Sequence, residues 1–277
     1  MNNNKIIYIF TCKYGYYISL VIKYLLLKNN IDSVITESID LRINNLYIIL
    51  FSQKVKTFPK NYIIYQLEQC GISNWINNKY KLSILFSKKT FDYSHANINK
   101  FDTFLRKKIS YFNIPCIKYS NLIKSYYVNN VINDVLFYGS INESRKNTLK
   151  YLKSNLKKYI KNIKIKIQNN LFGQNLFNEI LKSKIIINIH YYKNSILETC
   201  RLNEALSCSK LIISMYPNKE DDYNFNLYKD KVIFVKDNDE MIEKIIYYLK
   251  NKEEYIKQIN KIKFYENYEE IINLLDI

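Results

Sequence analysis

The segment with the clearest chemical potential begins at a glycine and ends in a basic pair. The apolar run Val135–Tyr138 leads into Gly139, Asn142 follows, and Arg145 and Lys146 come next. A glycine lets backbone approach a ligand closely, and a helix N-terminus offers unpaired N–H groups to an anion. These residues predict either an anion site or a capped surface helix that carries two solvated cations.

A second group of charges recurs at three-residue intervals in the segment 197–208. At about 100° per residue, Glu198, Arg201 and Glu204 share the apolar side of a predicted helix. Its opposite, wetter face is expected to hold three small polar residues: Thr199, Asn203 and Ser207. Charges on a packed face must be paired or must meet a polar ligand. An internal ion-pair row and a ligand site both remain open.

His190 and Tyr191 directly follow the apolar run Ile185–Ile189. The carboxyl end of a parallel strand is the ligand side of its sheet. The chain has only two histidines, and imidazole is the side chain best suited to proton transfer near neutral pH. A lone histidine is more often structural, but this location favours a functional role for His190.

Several other site classes are excluded or disfavoured by the sequence. It contains neither G-x-G-x-x-G nor G-K-[ST], so binding of the Rossmann-dehydrogenase or P-loop kind is not supported. Asp237-Asn238-Asp239 fits a D-x-D metal pattern, but a helix N-cap at Asp237 explains it and we expect no metal. The five cysteines lack C-x-x-C spacing, which argues against zinc and disulfides.

Apolar runs of strand length alternate with helical periodicity along the chain, which predicts parallel sheets built from βαβ units. The first half contains predicted strands at Ile6–Phe10, Val34–Ile35, Leu46–Phe51 and Tyr62–Tyr65, a helix near Asn97–Lys108, and an edge segment at Asn113–Tyr119. The second half contains predicted strands at 134–139, Ile163–Ile167, Ile185–Ile189, Lys210–Ser214 and Val232–Val235. Helices are expected after Glu143, around Leu176–Leu181 and over Leu197–Cys208.

Composition indicates a globular protein with a strongly basic balance. The 277 residues are 48% apolar and carry a formal charge of +17, but only four of the 42 basic residues are arginines. The lysines are scattered among Asn, Ile and Tyr, as AT-rich coding imposes, so we expect no specific nucleic-acid binding. There is no apolar window of about 18 residues and no signal-peptide pattern. These features predict a cytoplasmic protein, with peripheral membrane contact left open.

Several motifs of the second half occur in a familiar order. After Gly139 and the basic pair come Arg201-Leu202-Asn203-Glu204-Ala205-Leu206, then Leu211–Ser214, then Asp237–Met241. Residues 134–250 thereby resemble the donor-binding domain of nucleotide-sugar glycosyltransferases of the GT-B type, in the group 1 or family 4 manner.

The resemblance implies an α/β fold with two Rossmann-like domains facing across a cleft. Residues 1–128 would form the acceptor-side domain and 129–277 the donor-binding domain, with C-terminal helices packing back toward the first. The implied activity moves a sugar, with retention and without a metal, from a nucleotide-sugar co-substrate to a glycan, lipid or protein acceptor. No other cofactor is implied.

The resemblance also implies roles for individual residues. Gly139, Asn142, Arg145 and Lys146 would hold the diphosphate, Glu204 would bind the ribose, and Arg201 would orient Glu204 or reach phosphate. His190 would lie near the transferred sugar, with Tyr191 and Gly15 on the donor side. Retaining members carry two glutamates eight residues apart, the second of which matches Glu204. The position of the first is occupied by Ile196 in this chain, and Glu198 lies two residues after it.

An alternative explains the same departures from the family pattern. The displaced glutamate and the scarcity of glycine also fit a catalytically inactive, glycosyltransferase-like protein. Such a protein would use its basic surface to bind polyanions or nucleic acid.

Overall fold

The computed structural model describes residues 6–123 and 130–266. These residues form two compact units, the first up to Pro115 with Tyr265 and Glu266, the second Cys116–Phe264. Each unit contains one parallel β-sheet, so the predicted α/β class with two Rossmann-like sheets is confirmed. The predicted domain boundary at 128/129 lies outside the described residues.

The first unit is a six-stranded parallel sheet of order β2-β1-β3-β4-β5-β6. Its strands are β1 (Ile7–Phe10), β2 (Ser33–Thr36), β3 (Tyr47–Ile49), β4 (Tyr62–Gln66), β5 (Lys89–Asp92) and β6 (Ile109–Tyr111). The helices of this unit are α1 (Tyr16–Lys28), α2 (Asn78–Phe86), α3 (His95–Ile98) and α4 (Thr103–Arg106). Every residue of β3 and β4 is buried, as expected for central strands covered on both faces.

Two expectations for the first unit are wrong. The edge strand next to β5 is β6, whereas the predicted edge segment Asn113–Tyr119 contains no strand. Pro115 has no N–H to donate to a neighbouring strand, and Ile114 donates its N–H to the Tyr65 hydroxyl instead. The helix predicted over 97–108 is split into α3 and α4, because the Asp102 side chain accepts from the Leu105 N–H and starts a new helix.

The second unit follows the predicted segments closely. Its strands are β7 (Asn133–Tyr138), β8 (Ile165–Gln168), β9 (Ser183–Asn188), β10 (Leu211–Met215) and β11 (Ile233–Val235), in the order β11-β10-β9-β7-β8. Its helices are α5 (Tyr119–Leu122), α6 (Glu143–Tyr159), α7 (Gly173–Leu181), α8 (Thr199–Ser207), α9 (Asp222–Tyr228), α10 (Asn238–Lys250) and α11 (Lys252–Ile259).

Alternating isoleucines of β9 build a core on each face of the second sheet. Ile185 and Ile187 pack with apolar residues of α6 and α10, and Ile186 packs with those of α7, α8 and α9, because successive strand residues point to opposite faces. Tyr255 and Ile259 of α11 also pack on the first of these cores.

The parallel pairing of β7 with β9 decides where the site lies. Both strands end at the same edge of the sheet, so the segment after Tyr138 and the segment after Asn188 meet there. No helix within the described ranges is long and apolar enough to span a membrane.

Candidate functional site

Gly139, directly after β7, allows two arginines to reach the backbone. Its φ is +124°, a region that side chains disfavour. A Cβ at this position would lie 3.1 Å from Arg201 Nη2 and 3.6 Å from Arg145 Nη1. Two guanidinium groups therefore converge on the carboxyl end of β7.

Arg145 is fully buried rather than solvated, which corrects the surface-cation alternative for this residue. Its Nε donates to Ile189 O at 2.9 Å and its Nη1 to Ser140 O at 2.7 Å. The guanidinium also lies 5.2 Å from the centre of the Tyr191 ring. Burial, followed by the nearby charge of Arg201, lowers the pKa of Arg145 to about 10. Arg145 thus ties the segments after β7 and β9 together.

Asn142 and Lys146 differ sharply in their surroundings. Asn142 caps α6, since its Oδ1 accepts from Arg145 N, and its Nδ2 donates to Tyr191 O at 2.7 Å. Lys146 is exposed and lies 3.5 Å from the Glu143 carboxylate, an i,i+3 pair on the helix surface. Only Lys146 matches the solvated cation of the simpler sequence interpretation.

Glu198 lies at the centre of the cluster, although the sequence left its role in doubt. Its carboxylate is 3.5 Å from Arg145 Nη2, 3.6 Å from Arg201 Nη1 and 2.9 Å from His190 Nδ1, and it accepts from Asn188 Nδ2 at 3.2 Å. Burial by itself raises the pKa of Glu198, but the charges of Arg201, His190 and Arg145 hold it well below its usual range. The carboxylate is therefore ionised and holds the guanidiniums in place.

His190 has protein oxygens next to both ring nitrogens. Nδ1 faces Glu198, and Nε2 lies 3.2 Å from Met215 O and 3.1 Å from Tyr216 O. The ring thereby joins the ends of β9 and β10. These contacts position His190 firmly, and its assignment to catalysis stays a prediction.

Arg201 is the more accessible arginine of the cluster, and Glu204 interacts with it. Arg201 donates from Nη1 to Asn188 Oδ1 at 3.2 Å, and its side chain is 23% exposed. Burial raises the pKa of Glu204 to about 7, although the charge of Arg201 and the hydroxyl of Tyr138 act in the opposite direction. Glu204 therefore changes its charge near neutral pH, next to the end of β7.

The face of α8 expected to be wetter is buried, which corrects the sequence interpretation. Thr199, Asn203 and Ser207 are each at most 1% exposed. Ser207 Oγ donates to Glu204 O, and the Tyr228 hydroxyl donates to Asn203 Oδ1 at 2.9 Å. Tyr228 belongs to α9, a helix that was not predicted from the sequence, and its hydroxyl helps to cover this face at Asn203.

Gly15 belongs to the first unit, whereas the cluster belongs to the second. It precedes α1, and a Cβ there would collide with Thr11 Oγ1 and lie 2.6 Å from the Phe51 ring. Close packing therefore accounts for a small residue at this position, and the proposed contact with a donor stays a prediction.

Sequence reasoning missed Asn188 and Tyr138, two polar residues that end apolar strands. Asn188 bonds both Glu198 and Arg201, and the Tyr138 hydroxyl donates to Arg201 O at 3.0 Å. Their signal was present, because a polar side chain at the carboxyl end of a buried strand occupies the ligand edge of the sheet.

The D-x-D segment has the structural explanation that the sequence favoured. Asp237 Oδ1 accepts from Glu240 N at 2.9 Å and caps α10, and Asp239 accepts from the Tyr151 hydroxyl. Over residues 6–123 and 130–266, no group of three or more His, Cys, Asp or Glu is arranged to hold a metal ion.

The cluster brings two guanidiniums and two carboxylates together at a sheet edge. Two guanidiniums are matched by one firmly ionised carboxylate, Glu198, and one that titrates, Glu204. Arginine forks bind phosphate and carboxylate groups well, so an anionic ligand fits this edge.

One family model matches part of the chain. Residues 129–264 match a family model described as glycosyl transferase-like. No curated protein matches the sequence.

Solved structures resemble the chain over nearly its whole length. An α-glucosyltransferase in complex with UDP is 11% identical with a TM-score of 0.57, and the match covers 96% of this chain and 94% of that chain. The same type of enzyme with UDP and a 13-mer DNA containing an A:G mismatch gives 11% and 0.56, at 96% and 94% coverage. Anabaena Alr3699/HepE with UDP and glucose gives 8% and 0.53, at 94% coverage of each chain. At such identities the likeness concerns the fold.

Proposed function

We propose that this glycosyltransferase-like protein, whose two Rossmann-like domains have the GT-B fold, transfers a sugar from a nucleoside-diphosphate sugar to an acceptor hydroxyl. The observation that carries the proposal is the convergence of Arg145 and Arg201 on Gly139 at the carboxyl end of β7. The UDP bound in structural neighbours supports a uridine diphosphate donor.

The chemistry follows from the charge of the leaving group. As the glycosidic bond breaks, negative charge grows on the diphosphate, and fixed cations lower the energy of that state. Arg201 and the N–H groups at the start of α6 supply the stabilisation, with Lys146 as an exposed additional cation. These cations remove the need for a metal, and retention of configuration is part of the proposal.

The remaining residues of the cluster hold this machinery in position. Arg145 braces the segments after β7 and β9, and Glu198 keeps both guanidiniums together. Glu204 accepts hydrogen bonds from the ribose diol, because its two oxygens match two hydroxyls. His190 and Tyr191 lie on the segment closest to the transferred sugar.

Nucleotide binding in the presence of EDTA tests the proposal. Calorimetry with UDP, GDP and dTDP should show one preferred base, and Arg201→Gln should weaken its binding about 10- to 100-fold through loss of a charged hydrogen bond worth roughly 1.5–3 kcal/mol. Arg42→Gln is the matched control, since Arg42 is an exposed arginine of the first unit paired with Asp40 and should bind as wild type.

Turnover and stereochemistry test the catalytic part. Release of UDP from UDP-glucose should fall about 100-fold or more in Arg201→Gln, and NMR of the product should show the anomer of the donor. If Arg201→Gln and Lys146→Ala together leave nucleotide affinity unchanged, the diphosphate assignment is wrong. If only heparin or DNA stabilises the protein, the inactive polyanion-binding alternative is correct.

A further inference from the structure

The first unit exposes the only tryptophan of the chain. Trp75 follows β4 and is 47% exposed. Lys54 Nζ lies 4.7 Å above the indole ring. A large apolar ring that stays half in water next to an ordered cation is typical of a binding surface.

A carboxylate held by two hydrogen bonds lies near the same lysine. Glu68 accepts from Gln53 Nε2 and from Ser73 Oγ, both at 2.7 Å. Ser73 Oγ also accepts from the backbone N–H of Trp75 at 3.2 Å, so one serine joins the carboxylate to the main chain that carries the indole. Each carboxylate oxygen keeps capacity for a further hydrogen bond.

Lys54 also lines a neighbouring cavity of about 350 Å³. The cavity lies beyond the carboxyl ends of β1, β2 and β3, between the apolar side chains Phe10, Ile39 and Val55 and the polar residues Glu37 and Thr57. This volume is at the lower end of the range for small-molecule sites. The indole, the carboxylate and the cavity thus lie along one sheet edge and share Lys54.

We propose that Trp75, Glu68 and Lys54 form a carbohydrate-binding subsite that extends toward this cavity. A sugar ring stacks its C–H face on the indole, donates hydroxyl protons to Glu68 and accepts from the lysine ammonium. A fixed carboxylate repels phosphate groups, so the chemistry favours a neutral sugar over a polyanion. The assignment of this sugar as the acceptor rests on the proposed function, whereas its binding does not.

The single tryptophan makes the test specific, because emission excited at wavelengths that tyrosine does not absorb reports on Trp75 alone. Titration with maltotriose, cellotriose, chitotriose and xylotriose should give a saturable change in tryptophan emission with at least one of them. Glu68→Gln should weaken that binding at least 10-fold. Glu254→Gln, which alters an exposed glutamate paired with Lys257 in the second unit, should bind as wild type.

Further variants and ligands separate the outcomes. Trp75→Phe, measured by calorimetry, should weaken sugar binding in a protein that still melts cooperatively, and Lys54→Gln should do the same if Glu68→Gln fails to fold. Absence of any response to the four sugars overturns the subsite, as does a response only to heparin or single-stranded DNA. UDP binding is measured in parallel. Sugar binding without UDP binding contradicts the proposed function but not the subsite. UDP binding without sugar binding contradicts the subsite alone.

Discussion

Two guanidiniums, one of them fully buried, share the Glu198 carboxylate in the second unit. Glu198 contacts Arg145, Arg201 and His190, and a buried charge without its partner is costly. The residues that bind an anion and those that hold the fold together are therefore partly the same.

Glu198→Gln should lower stability and raise anion affinity at the same time. Removing one partner of a buried ion pair commonly costs about 3–5 kcal/mol, and the uncompensated guanidiniums then attract pyrophosphate more strongly. Thermal melts should show a lower Tm, with a larger rise on adding pyrophosphate than in wild type. Because the folded pKa of Glu198 is depressed, its stabilisation is present above pH 4.5 and shrinks as the pH falls. An unchanged Tm would contradict the central role of Glu198.

Glu204 should make stability and nucleoside binding depend on pH. Its pKa in the folded state is about 7, against an ordinary value of 4.5, so the folded state binds this proton more tightly than the unfolded state does. Stability therefore falls as the pH rises from about 4.5 to 7, by at most about 3 kcal/mol, and levels off above pH 7. Chemical denaturation should show this slope in wild type and its loss in Glu204→Gln.

The same titration should tune ribose recognition. Uridine, which lacks a titrating phosphate, should bind more tightly as the pH rises through 7, because the ionised carboxylate is the better acceptor. Glu204→Gln should bind uridine more weakly and with no such dependence. A pH-independent affinity in wild type would contradict the ribose assignment.

At the scale of elements, α8 is held by polar as well as apolar contacts. Asn203, one of its small polar residues, accepts from the buried Tyr228 hydroxyl of α9. This contact keeps α8 in the orientation that presents Arg201 and Glu204 to the sheet edge.

Asn203→Ala should destabilise the second unit. It removes the acceptor of a buried hydroxyl, which costs about 1–3 kcal/mol. Adding Tyr228→Phe removes the hydroxyl as well, so the double variant should be less destabilised than the sum of the two single variants. Tyr159→Phe, at a 65% exposed tyrosine, should stay within about 0.5 kcal/mol of wild type. Strict additivity in denaturant melts would show that the contact carries no energy.

For the whole molecule, the charge of +17 is spread over lysines rather than concentrated in arginine forks. Scattered point charges attract any polyanion at low salt but do not recognise a sequence.

DNA binding by this chain should accordingly be weak, sequence-independent and sensitive to salt. If about six phosphates are contacted, anisotropy with a random 20-mer should show affinity falling by about 1,000-fold between 50 and 200 mM salt. UDP affinity should change far less, because it depends on a few partly buried contacts. Salt-resistant, sequence-selective DNA binding would instead support a nucleic-acid function.

The fold class and the segments that carry the site could be predicted from the sequence. Strand-length apolar runs, helical periodicity and caps such as Asn142 and Asp237 are local features, so they could be recognised without the fold. Strand β5 and the helices α2 and α9 were not predicted, because their residues show only weak local patterns. The sequence of β5, for example, is Lys-Thr-Phe-Asp.

Which side chains are buried, and which of them contact one another, depends on the three-dimensional fold. The sequence placed Arg145 on a helix, but its burial depends on the segment after β9, 44 residues further on. The face of α8 that contains Thr199, Asn203 and Ser207 was predicted to be the more solvated one. It is buried instead, because tertiary contacts such as that of Asn203 with Tyr228 of α9 cover it. Glu198 gained its central place in the same way, since the parallel pairing of β7 and β9 brings both arginines to one edge. Burial and charge pairing are properties of neighbours in space, and spacing along the chain does not specify them.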